Sequence, residues 1–168
     1  MRTLLLALAS LALAAQPAPV TVGKTPNSSA FNQTVYFAGQ PSPADLAEYK
    51  KLGVTTVVNL RTADEMKMAG IDEAAAAKAA GLKYVNVPIG STPPTDSDLA
   101  RIYAELLRAP KEKVLLHCAS SNRVGMVWAI FRGTQQRVAP EEALAEGKAA
   151  GLKAPALEKF AREKLGLK

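Results

Sequence analysis

Apolar residues along this chain come in two alternating rhythms. Short, nearly continuous runs rich in β-branched residues end at glycine, proline or small polar residues, while longer stretches repeat their apolar positions every three to four residues. The run Val54-Thr-Thr-Val-Val-Asn-Leu60 is of the first kind and predicts a strand buried on both faces. Further strands are predicted over residues 34–38, 83–87 and 113–117. Between them, residues 43–52 predict a helix, with Pro43 at its start and Gly53 past its end. Residues 71–80 predict an alanine-rich helix stopped by Gly81, and residues 95–107 one opened in capping-box style by Thr95-Asp-Ser-Asp98. Helical patterns return over residues 124–131, 140–149 and 156–165. Strands taking turns with helices predict an α/β fold, a mainly parallel central sheet flanked by helices on both faces. Ligands of such sheets bind beyond the carboxyl ends of the strands. That edge is expected to collect residues 59–61, 88–98 and 118–123.

With 168 residues, 48% hydrophobic and 21% charged, the chain has the size and composition of one globular domain. Its net charge of +6 is spread out rather than gathered into a stripe, and aromatics make up 5%, so nucleic acid is not expected as a partner. The mild positive field suits anionic small substrates. Arg2 followed by a Leu/Ala run, with Ala12-Leu13-Ala14 as a small-x-small cleavage pattern, has the layout of a secretory signal peptide. The run is too short for a comfortable membrane span. Residues 1–15 are therefore expected to be a signal peptide and residues 16–29, with their prolines and small polar residues, a flexible linker. Residues 30–168 then form one domain, exported to a bacterial periplasm, with no stable membrane insertion after signal cleavage. Oxidising compartments favour paired cysteines, yet Cys118 has no partner in the chain. A lone thiol there needs burial or a chemical use.

The chemistry concentrates in Val114-Leu-Leu-His-Cys-Ala-Ser-Ser-Asn-Arg-Val-Gly125. The only histidine, His117, and the only cysteine, Cys118, stand at the end of a strand run; Arg123 follows, and then a helical pattern. The start of a helix carries unpaired N–H groups and partial positive charge, a ready anion site. A thiol at such a place is pushed toward the nucleophilic thiolate. Arg123 adds a planar fork for two oxygens of an oxyanion. Cys118 is thus the candidate nucleophile, and Ala119, Ser120, Ser121 and Asn122 form the candidate cradle. His117 is a supporting residue that tunes the loop. One Cys and one His cannot supply the four ligands of a usual zinc site, so no metal and no cofactor is expected.

Together these residues resemble the cysteine-dependent phosphatase superfamily, and most of all its small dual-specificity-type enzymes. The likeness spans about residues 31–135. It rests on residues 53–61, on the strand from Tyr84 to Ile89, and on the His117-Cys118…Arg123 loop. Its closest form is a bacterial group, the phosphatase-like domain of beta-lactamase-hydrolase-like proteins. The resemblance implies a cysteine-phosphatase fold and hydrolysis of phosphate esters through a phosphocysteine, on a phosphorylated small molecule or a phosphoprotein. It also implies an acid on the loop after the third parallel strand, for which Asp96 and Asp98 are candidates. Asp64 and Glu65 are alternative acids. Arg61 either lines the pocket rim or pairs with Glu65.

Departures from the pattern keep other readings open. Four residues separate Cys118 from Arg123, whereas phosphatases of the superfamily place five there. Four is the rhodanese spacing, so a sulfurtransferase with a Cys118 persulfide is an alternative, as is a non-catalytic anion-binding module. The family usually has glycine where Ser121 stands, and Ser or Thr where Val124 follows the arginine.

Overall fold

The computed structural model describes residues 15–109 and 111–168. The proposed signal segment lies outside the described residues apart from Ala15. Six strands form one sheet in the order β1 (Ala18–Pro19), β2 (Ser29–Phe31), β3 (Val35–Ala38), β6 (Lys113–His117), β4 (Val54–Asn59), β5 (Lys83–Asn86). The last four run parallel to one another, and β1 and β2 are antiparallel at one edge. Side chains alternate across a strand, and here the alternation separates two cores. On one face Phe37, Val58 and Leu116 pack with Ile102 of α4 (Asp96–Leu106) and with Trp128 and Phe131 of α5 (Asn122–Gln135). On the other, Tyr36, Val57 and Leu115 pack with Leu46 and Tyr49 of α1 (Pro43–Lys51) and Ala77 of α3 (Glu73–Ala79). The expected α/β architecture, a mostly parallel sheet with helices on both faces, is the one observed.

Two regions escaped the periodicity, one holding α2 and the other β1 and β2. The short helix α2 (Ala63–Ala69) has no buried residue, so it leaves no apolar stripe to read. Its signal is instead a reciprocal cap, Thr62 accepting from the Glu65 N–H while the Glu65 carboxylate accepts from the Thr62 N–H. The expected flexible linker is the second. Residues 18–19 pair with β2, Val22 is buried, and Asp45 of α1 accepts from the Lys24 N–H at 2.8 Å. The segment covers the otherwise open edge of β2, and a proline is tolerated there because an edge strand need not donate on its outer side. Gly23 makes the turn at φ +54°, where a Cβ would lie 2.0 Å from Asp45 Oδ1.

The C-terminal helices α6 (Pro140–Ala149) and α7 (Pro155–Leu165) pack on α5. At the crossing of α5 and α6 the backbones nearly touch: a Cβ on Gly125 would lie 2.3 Å from the Gly147 carbonyl oxygen. That contact sits in the first turns of α5, whose buried run begins at Val124.

Candidate active site

The loop between β6 and α5, residues 118–121, has all of its carbonyl groups turned outward onto partners. His117 Nδ1 faces the Cys118 oxygen at 3.4 Å. The Gln40 N–H donates to the Ala119 oxygen at 3.2 Å, and Asn27 Nδ2 to that of Ser120 at 3.3 Å. The Ser121 oxygen accepts from the Gly125 N–H, the first bond of α5. With the carbonyls engaged, the N–H groups are the loop's remaining polar groups. Among the described residues, those of Ala119, Ser120, Asn122 and Arg123 have no hydrogen-bond acceptor. They belong to the residues that lead into the positive end of a fourteen-residue helix, next to a buried Cys118.

Ser121 takes the conformation that the resemblance assigns to glycine. Its φ is +69°, left-handed and strained for a residue with a Cβ. The compensation is a buried hydrogen bond from its Oγ to the Ala150 oxygen at 2.7 Å. Asn122 is likewise spent on structure, its Oδ1 accepting from the Lys153 and Ala154 N–H groups at 2.7 and 2.8 Å. The side chains of Ser121 and Asn122, expected in the cradle, thus hold the α6–α7 connection, and only backbone groups of theirs remain for a ligand. Ala119 and Ser120 are exposed at the rim, as a cradle requires.

Arg123 is gripped along one edge. Its NH1 donates to Glu65 Oε2 at 2.8 Å and to the Ile89 oxygen at 2.6 Å, with the Leu60 oxygen at 3.3 Å; its NH2 donates to Glu65 Oε1 at 2.6 Å. The opposite edge, Nε–H and the second NH2 hydrogen, stays open for an oxyanion. Arg123 holds its proton more tightly than usual, first through the hydrogen bonds to Glu65, with burial opposing and the neighbouring Cys118 sulfur adding to it. Those same bonds hold the Glu65 carboxyl down to about 2, against the upward push of burial and with help from Thr62. Glu65 is therefore the anchor of Arg123 and stays ionised at neutral pH, which removes it as a proton donor.

Below the loop lies a buried polar cluster. Glu73, at the start of α3, is 2% exposed and accepts from Gln40 Nε2 at 2.8 Å and Asn59 Nδ2 at 2.7 Å. Its Oε2 lies 3.0 Å from His117 Nε2. Arg61 joins from above, its NH1 donating to Gln40 Oε1 at 2.7 Å and its NH2 to the Glu65 backbone oxygen at 3.0 Å. Arg61 Nε is 3.7 Å from Glu65 Oε1. It thus pairs with Glu65, as one of its two readings expected, and supports the same α2 that grips Arg123.

The two aspartates expected to act as acids make their hydrogen bonds outside the loop. Asp98 closes the cap of α4, its Oδ2 accepting from the Thr95 hydroxyl at 2.7 Å and N–H at 3.0 Å. Those bonds, the hydroxyl's first, hold its carboxyl below the usual range. Asp96 is exposed and bound to Lys164 of α7 at 2.6 Å. It sits at a cavity of about 510 Å³ walled by α4, α5 and α7 and lined by Leu99, Tyr103 and Ile130. Lys164 lies ten residues along α7 from the Ala154 that Asn122 holds, roughly 15 Å of helix. Neither aspartate bonds to any residue of the loop. Acids in the first turn of a helix stabilise it without any catalysis, and both stand in the first turn of α4. Asp64 is exposed on α2.

Sequence reasoning missed Glu73 and Gln40, and put Asn59 at the binding edge without giving it a role. Glu73 reads as an ordinary acid at a helix start, and nothing local marks it as buried. Glu65 had a signal in its cap with Thr62.

A buried cysteine before a helix start, an arginine with one edge anchored and the other open, and a mostly parallel sheet behind them agree with a phosphatase-like domain. The chain belongs to the family described as "Beta-lactamase hydrolase-like protein, phosphatase-like domain", which matches over residues 30–135. It is 31% identical over 122 residues to a beta-lactamase hydrolase-like protein of Xylella fastidiosa, covering 71% of this chain but only 28% of that protein. Among solved structures it is similar to TpbA of P. aeruginosa, with a TM-score of 0.70, 22% identity, and 91% of this chain and 90% of that one covered. The kinase associated phosphatase superposes with a TM-score of 0.68 at 18% identity, covering 84% and 91%. At these identities the structural likeness speaks for the fold.

Proposed function

We propose that the protein is an exported phosphatase that cleaves phosphate monoesters through a phosphocysteine on Cys118. The observation that carries this reading is the divided guanidinium of Arg123, fixed by Glu65 on one edge and open on the other beside Cys118. The Cys118 thiolate attacks phosphorus and the ester P–O bond breaks. The loop N–H groups and the open edge of Arg123 hold the non-bridging oxygens as charge builds on them. Water then cleaves the S–P bond and releases inorganic phosphate. With Asp96 and Asp98 engaged elsewhere, the leaving oxygen departs with little help, so esters of acidic alcohols such as aryl phosphates are the substrates of choice. A structure of TpbA was solved in complex with phosphotyrosine, an aryl phosphate, and superposes with a TM-score of 0.62 at 20% identity, covering 91% of this chain and 97% of that one. That supports phosphotyrosine or a phosphorylated protein carrying it as the substrate class. The reading of export rests on the Arg2 and Leu/Ala pattern, and the mass of the mature N-terminus from periplasmic extracts tests it.

Two assays on the same preparation decide the chemistry. Hydrolysis of para-nitrophenyl phosphate, lost in Cys118→Ser, is the expected result. Sulfur transfer from thiosulfate to cyanide without any phosphatase activity overturns the proposal in favour of the sulfurtransferase that the four-residue loop permits.

A further inference from the structure

We infer that Glu73 is a positioning residue of the oxyanion site, holding two successive carbonyl groups of the Cys118 loop in place through two separate partners. Its carboxylate reaches His117, whose other ring nitrogen faces the Cys118 oxygen. It also fixes the side chain of Gln40, whose backbone N–H holds the Ala119 oxygen. Those two carbonyls must point away from the cradle for the following N–H groups to point into it. A peptide that turns over would put an oxygen where a phosphoryl oxygen has to bind.

The arrangement is built for a carboxylate in particular. Gln40 and Asn59 each bring an amide N–H to a different oxygen of Glu73, at 2.8 and 2.7 Å. The Asn59 oxygen already accepts from the Arg61 N–H at 2.7 Å, and the Gln40 oxygen from Arg61 NH1. Both amides are thus locked with their NH2 groups toward Glu73. Charged and titratable groups that face this cluster are His117 on β6, Tyr84 on β5, whose hydroxyl accepts from Asn59 Nδ2 at 3.0 Å, and Arg61 after β4. A glutamine at 73 keeps the volume but sets an NH2 against one of the two amide donors. Burial leaves no water to relieve the clash.

This inference rests on the reading of the loop as an oxyanion site, and its test separates it from catalysis itself. Affinity for inorganic phosphate and for tungstate is measured by calorimetry on wild type, Glu73→Gln and Gln40→Met, beside kcat and KM for para-nitrophenyl phosphate and Tm. Glu146 is the control, a fully buried carboxylate that accepts from Trp128 and Arg132 instead of the loop's partners. Glu73→Gln is expected to weaken oxyanion affinity and lower kcat/KM by about tenfold or more. Glu146→Gln lowers Tm and leaves both unchanged in the folded protein. Gln40→Met, which cuts only one of the two routes, gives a smaller loss of the same kind and decides the matter should Glu73→Gln fail to fold. Oxyanion affinity within about twofold of wild type in a folded Glu73→Gln overturns the inference, as does the same result in Gln40→Met when Glu73→Gln is unfolded. A wild type that binds phosphate but hydrolyses no ester, with binding lost in Glu73→Gln, overturns the phosphatase reading and leaves this one standing.

Discussion

Replacing Arg123 by lysine keeps the charge and tests whether the open edge of the guanidinium matters. Arginine has five N–H hydrogens; Glu65 Oε1, Glu65 Oε2 and the Ile89 oxygen take three of them at 2.6 to 2.8 Å. Two remain for the phosphoryl group. A lysine ammonium has three hydrogens in all, and the same three acceptors would take every one. Removing a single oxyanion donor from an active site costs about a hundredfold to a thousandfold in rate, or about 2.7–4 kcal/mol. Arg123→Lys should therefore lower kcat/KM for para-nitrophenyl phosphate by at least that range, raise the inhibition constant of inorganic phosphate, and change Tm little. Arg123→Ala should be only modestly worse in rate but clearly less stable, because it leaves the Glu65 carboxylate and the Ile89 carbonyl without their donor. A lysine variant within about threefold of wild type in kcat/KM would show that net charge suffices and that the divided guanidinium is not what holds the transition state.

Other outcomes follow from the same contacts. Glu65 has its carboxyl at about 2 in the folded chain against an ordinary 4.5, so its contribution to stability is complete above about 4.5 and is lost as pH falls through 2. Denaturant midpoints of wild type and Glu65→Gln should differ at pH 6 and converge toward pH 2; a constant gap contradicts this. Ser121→Ala keeps the left-handed strain and strands the Ala150 carbonyl, so it should cost about 1–3 kcal/mol, while Ser121→Gly relieves the strain and should cost less; the reverse order in urea melts would refute the compensation. Asp96→Asn and Asp98→Asn should leave aryl phosphate hydrolysis unchanged and should not steepen the dependence on leaving group. A selective loss on alkyl phosphates in either variant would restore that residue as the acid.

What could be read from the sequence was whatever local pattern decides. The buried strand 54–60 and the helices with prolines at their starts stand within a residue or two of where apolar spacing put them. The pairing of Cys118 with Arg123 across one turn followed from helix-terminus physics. Long-range partnership was not legible. Whether Asp98 serves a cap or a substrate depends on where the loop before it travels, and Thr95-x-x-Asp98 reads equally well either way. Glu73 lies 44 residues from His117, and only the stacking of α3 beneath β4 and β6 makes them neighbours. Residues 16–29 looked like a linker because prolines and small polar residues describe loops, yet the same residues suit an edge strand that need not donate outward.

The fastening of Ser121 and Asn122 to residues 150, 153 and 154 separates two boundaries that are easily taken as one. The family match ends at residue 135, the last residue of α5 and before either helix that holds the loop from behind. The matched stretch is thus shorter than the unit that holds the loop in place. A fragment cut to the matched stretch would keep Cys118 and Arg123 while losing the acceptor of the Ser121 hydroxyl and both donors to Asn122. Transplanting the activity, or joining this domain to another, has to carry α6 and α7 along as part of the reactive centre's scaffold.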